Sequence, residues 1–205
     1  MASKETKNLV TEAKNHLVGM IHGMGDITGA LADAVSNTIV HTLKGTRAVG
    51  AELLGLVVGT VTGAVHGVAE VGGEVGSAAR SIMVGTLHGT QMVGKAGVET
   101  VTLTAATLVR GASEVGGNVA DTAKGAVEGA IASARDIGVS AEDAASAAAT
   151  GAIQAAGEIS STAVNQVRNV LTTSISGVKV VVKEPFRSTM DARDKDAPRG
   201  EQRQA

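Results

Sequence analysis

His22, His66 and His88 are the side chains with the widest chemistry, because an imidazole can exchange a proton near neutral pH or bind a metal. Each directly precedes a glycine, and Lys44 and Arg110 stand in the same place before Gly45 and Gly111. These basic sites recur at every twenty-second position. A helix of that length spans about 33 Å, so neighbouring sites cannot meet on one helix. Stacked helices or subunits would bring them together in a pH-sensitive or metal-linked contact. On a single helix they belong to a solvated polar face. Other chemistry has no foothold. There is no Cys, hence no disulfide framework, thiolate or Cys-based zinc site. No Ser/His/Asp grouping, phosphate loop or HExxH is present. Gly72-Gly73 and Gly116-Gly117 do not link a strand to a helix, as a nucleotide loop would. The sequence predicts no catalysis, cofactor, resident metal or small-molecule substrate.

A repeat must position these residues. From His16 to Val180 the chain keeps one eleven-residue phase without a slip. A branched apolar site returns at every twenty-second position: Ile27, Val49, Val71, Val93, Val115, Ile137 and Ile159. Gly50, Gly72, Gly94, Gly116 and Gly138 follow the middle members directly. Longer text repeats too, since HGVAEVGGEV (66–75) aligns with RGASEVGGNV (110–119), two such intervals further on. Eleven residues over three turns is about 3.67 per turn, close to an α-helix, so the pattern stays on one face. DTAKGAVEGAIASARD and AEDAASAAATGAIQAAGE are rich in helix formers. The expected fold is all-α: long amphipathic helices, elongated or stacked as hairpins. They form either one continuous helix or helices of about 40 residues, with interruptions at Gly72-Gly73, Gly116-Gly117 and Gly138.

Composition limits the core. One Phe, no Trp and no Tyr leave Ala, Val, Leu and Ile to fill it. A formal net charge of −2 argues against a general nucleic-acid binder. On a helical wheel the branched series lies in an apolar arc of about half the circumference, wider than a coiled-coil seam. Asp26, Glu70, Glu114, Asp136 and Glu158 share one position near the centre of the polar half. Arg47, Arg80, Lys124, Arg135, Arg168 and Lys179 share another at the border with the apolar arc. Basic side chains at such a border can lay their stems on apolar surface and keep their charge in water. That is the layout of a helix lying in a membrane interface.

The 11/22 hierarchy, with bases at the edge and acids at the centre, resembles the exchangeable apolipoproteins, the synucleins and the perilipins, and in spirit the granule-coating phasins. The resemblance covers about residues 16–180 and is one of pattern. No strict copy of the synuclein KTKEGV unit is present, only KETKNLV (4–10), and the proline punctuation of apolipoproteins is missing. It implies helices that form on contact with a lipid surface.

Glycine asks for something else. Each Gly inside a helix costs about 1 kcal/mol relative to Ala, and a lipid surface offers nothing in return. Close backbone packing does. Gly55, Gly59, Gly63 and Gly67 form an unbroken GxxxGxxxGxxxG, and Gly85/Gly89 and Gly125/Gly129 repeat the spacing. Together with Gly89 and Gly111 of the second series, they are the expected helix–helix contacts.

Three regions follow: a polar helical lead-in (1–15), the repeat array (16–180) and a disordered mixed-charge tail (181–205) holding both prolines. No signal peptide is legible. Leu53–Ala69, the least charged stretch, falls short of the roughly 20 residues that span a bilayer. The leading expectation is a non-enzymatic structural protein, cytoplasmic and peripheral on a membrane, droplet or granule. Its partners would be a lipid or other hydrophobic surface and further copies of itself. The alternative is a lipid-independent filament- or tube-forming helical assembly. A third is an ice-binding or desiccation-protective helix, since Thr38, Thr60 and Thr104 recur in step with the basic sites.

Overall fold

Four glycines spaced twenty-two residues apart end helices. Gly72, Gly94, Gly116 and Gly138 have φ of +73°, +69°, +72° and +72°. This left-handed region costs a residue with a Cβ about 1–2 kcal/mol. Around three of them the backbone closes the helix with the paired bonds of a Schellman motif. Gly73 N donates to Val68 O at 2.8 Å, Gly117 N to Ala112 O at 2.7 Å and Val139 N to Ala134 O at 3.0 Å. Side chains start two of the helices that follow. Asn118 Oδ1 accepts from Ala120 N and Asp121 N, and Ser140 Oγ accepts from Asp143 N.

The computed structural model describes Thr11 and residues 27–45, 51–94, 96–172, 175–178 and 180. They form α1 (Ile27–Gly45), α2 (Ala51–Glu70), α3 (Val75–Met92), α4 (Val98–Glu114), α5 (Val119–Ser133), α6 (Ala141–Ile159) and α7 (Ser161–Leu171). No strand occurs among the described residues. Ile175 and Val178 make an isolated antiparallel bridge across Ser176 and Gly177, which both have positive φ. Neither the one continuous helix nor the double-length helices expected from the repeat are what forms. The helices are 11 to 20 residues long, because each left-handed glycine reverses the chain. The lead-in, apart from Thr11, and the tail lie outside the described residues.

Helices two apart in sequence make the broadest contacts: α3 with α5, α4 with α6 and α1 with α3. Their contact registers advance together, so they run parallel. Gly85 lies on Ala32 and Gly89 on Ser36, and Gly125 lies on Gly76 and Gly129 on Arg80. Consecutive helices are then antiparallel, and two layers result: α1–α3–α5–α7 and α2–α4–α6. Small residues let the backbones approach. A Cβ added to Gly85 would strike the Ala32 carbonyl oxygen, and one on Gly151 the Thr102 carbonyl oxygen. One on Gly129 would lie 2.7 Å from the Arg80 oxygen.

One apolar cluster joins the layers. Leu31, Ile39, Ile82, Met83 and Leu87 enter it from the first layer, and Val57, Val61, Val65 and Leu108 from the second, all at most 1% exposed. Towards the C-terminus the core thins to alanine: Ala144, Ala145, Ala148, Ala149, Ala152, Ala155 and Ala156 of α6 are fully buried. Buried threonines bond within their own helices. Thr86, Thr90 and Thr104 donate to carbonyls four residues back, at 2.7–2.8 Å. Thr60 and Thr104 are at most 2% exposed, so the recurring threonine series is largely internal.

Candidate functional site

One histidine–carboxylate contact and one ion pair cross between parallel helices of the α2–α4–α6 layer. His66 Nε2 lies 3.3 Å from Glu114 Oε2, joining α2 to α4. Arg110 joins α4 to α6 as a fork, with Nε donating to Glu158 Oε2 at 2.6 Å and Nη2 to Oε1 at 2.9 Å. In each pair the base precedes the acid by 48 residues, and the second pair is the first moved on by one helix–turn–helix unit. Both acids stand in the last turn of a helix, where the macrodipole disfavours a carboxylate. The base arriving from the neighbouring helix offsets that penalty.

The hydrogen bond to Glu158 raises the Arg110 pKa above the ordinary arginine value; partial burial opposes it, and the charges of Glu158 and Glu114 reinforce it. The same hydrogen bond holds the Glu158 carboxyl below the ordinary range, against a small desolvation effect and with help from the Arg110 charge. A lowered carboxyl pKa stabilises above its unfolded value and is lost as pH falls through the folded one. Both side chains are well exposed, so the effect is small. Glu158→Gln is expected to lower stability at neutral pH by less than about 1 kcal/mol, and by less still in high salt. The gap between the two proteins should close on acidification, which urea titrations at three pH values will read.

His66 and His88 do not converge. His66 stands on the second layer and His88 is exposed on the first, while His22 lies outside the described residues. No cluster of three or more His, Cys, Asp or Glu able to hold a metal occurs among the described residues. Most of the branched apolar series stands where helices end. Val71, Val93, Val115 and Ile137 sit just before the left-handed glycines, half-buried against the core. Ile159 closes α6 and is 36% exposed. Ile27 opens α1, and Val49 is outside the described residues. Of the border bases, Arg80, Lys124 and Arg168 are exposed at equal intervals on α3, α5 and α7. Arg135 is exposed in the turn after α5, and Arg47 and Lys179 are outside the described residues. Gly59, Gly63 and Gly67 are buried in α2, whereas Gly55 is exposed with open space where a Cβ would go. Gly89 packs on Ser36 and Ile39, and Gly111 on Val65.

The layers differ in charge. The second carries Glu52, Glu70, Glu99, Glu114, Glu142, Asp143 and Glu158 on its helices against Arg110 alone, with His66. The first has no acidic excess, with Asp33, Asp121 and Glu128 set against Lys44, Arg80, Lys124 and Arg168 on its helices. On the acidic side a groove of about 340 Å³ follows α4. Glu99, Thr102, Leu103, Ala106 and Arg110 line it lengthwise, with Leu54 of α2 and Gln154 of α6 at its sides. Sequence reasoning missed it, because a groove depends on which helices become neighbours. The outward spacing of Glu99, Leu103, Ala106 and Arg110 on one helix was the only available signal. No family model matches this chain, and no curated protein matches it.

Proposed function

We propose that the chain is a non-enzymatic structural protein that folds without lipid and works through its outer faces. Its unit is a helical hairpin, each half being one helix and its turn. Glycine sets the spacing between successive hairpins. The observation that supports this best is where the apolar residues go. Val57, Val61, Val65, Val101, Leu108 and Val109 are completely buried. Large exposed hydrophobics among the described residues are Met92, Val98 and Ile159. An arc meant for lipid would be on the outside. In repeat architectures each unit buries its apolar face on its neighbours. α7 follows the same rule: Ala163, Val167 and Leu171 are its buried stripe, and Ser161, Thr162, Asn165, Gln166, Arg168 and Asn169 are exposed.

A lipid-surface reading keeps one specific support. Glu52–Glu70 is long and apolar enough to cross a membrane by length and composition, although 61% of its apolar window is buried in the stack. Circular dichroism with and without anionic vesicles separates the two readings. The stack predicts full helicity and a cooperative melt in plain buffer, with little change on adding vesicles. A coil that becomes helical only with vesicles would overturn it in favour of the lipid coat.

A further inference from the structure

We infer that the acidic face of α2, α4 and α6 docks a cationic amphipathic helix from a partner protein, laid along α4. This rests on the stack being folded in water. Two independent observations carry it. The first is shape. Glu99, Leu103, Ala106 and Arg110 are spaced i, i+4, i+7 and i+11, so the groove runs for about 16 Å, or three turns, with Leu54 and Gln154 at its sides. An amphipathic helix reads such a groove with apolar anchors one turn apart. Leu54, Leu103 and Ala106 give those anchors an apolar seat.

The second observation is charge. The layer holds seven carboxylates against one arginine, and Glu158 already neutralises that arginine. Glu99 lines the groove itself. An anionic partner would be repelled, and a neutral one would leave the field unmet. A helix with an apolar stripe flanked by Lys or Arg answers both features. A second copy of this chain is a poorer complement, because its opposite layer brings Asp33, Asp121 and Glu128 along with its bases.

The probe is a labelled Leu/Lys peptide of about 18 residues, five helical turns, titrated with the full chain by fluorescence anisotropy. A Leu/Glu counterpart and an unstructured oligolysine serve as comparisons. Saturable one-to-one binding of the Leu/Lys peptide is expected, with both comparisons at least about tenfold weaker. Leu103→Lys and Glu99→Gln should each weaken it about tenfold, a loss of about 1.4 kcal/mol, with thermal melts within a few degrees of the parent protein. Oligolysine binding as tightly, indifference to both substitutions, or capture only of further copies of the chain would each overturn the docking site. Circular dichroism on the same samples keeps the two readings apart. A helical, melting chain that ignores the peptide sinks the docking site alone, whereas a chain without helical signal sinks the folded stack as well.

Discussion

Gly85→Ala and Gly151→Ala together are expected to lower stability by up to about 4 kcal/mol, after a gain in helix propensity of about 1 kcal/mol per exchange. The new methyl groups would meet the backbones of Ala32 and Thr102, which belong to parallel neighbouring helices and cannot swing aside. Overpacking of this kind costs about 1–3 kcal/mol per site, and the two sites share no partners, so their effects should add. Gly55→Ala is the control. It has open space at that position, and its stability should rise by up to about 1 kcal/mol. Urea midpoints read all three proteins. A double variant as stable as the control would mean that these helices do not pack backbone to backbone.

The second large effect comes from the turns. Gly72, Gly94, Gly116 and Gly138 are all left-handed, and Ala at one of them should cost about 1–2 kcal/mol. Ala at all four should therefore cost about 4–8 kcal/mol, comparable with the whole stability of a domain, and the helical signal should fall at room temperature. Asn at the same four positions should retain more of the fold, since its short polar side chain tolerates this region better. Equal losses with Ala and Asn would remove the left-handed turn as the cause.

Why the turns were hard to read lies in their length. Helix plus turn comes to twice eleven residues, so the eleven-residue phase runs through every reversal without a slip. A wheel drawn across Val71, Gly72 and Gly73 looks continuous, while the backbone there has already turned back. The paired glycines at 72–73 and 116–117 and the Ser140 cap were legible as interruptions. Gly94 was not, because Lys95 follows it instead of a second glycine. Helical content was legible from composition. The GxxxG run from Gly55 to Gly67 shows the limit of spacing, because Gly55 faces open space. Bases before glycines and acids at the helix ends were both visible as series. The pairing of His66 with Glu114, and of Arg110 with Glu158, depends on α2, α4 and α6 being neighbours, which no local pattern states.

The same ambiguity explains the pull towards lipid. An apolar arc of half a helix suits a bilayer surface or a second layer of helices equally well. In this chain the second layer is supplied by the next helix along. The period of twice eleven is then the length of one pass through the stack.

Distance between Arg80 and Lys124 tests that claim most directly. Both are exposed and stand one hairpin apart, on α3 and α5, and the chain has no cysteine of its own to interfere with labelling. Arg80→Cys and Lys124→Cys can carry a spin-label pair read by dipolar spectroscopy in plain buffer. Packed parallel helices lie about 8–10 Å apart, so with the label arms the stack predicts a distance below about 25 Å. A continuous helix on a surface would place the labels about 66 Å apart, and that result would contradict the stack.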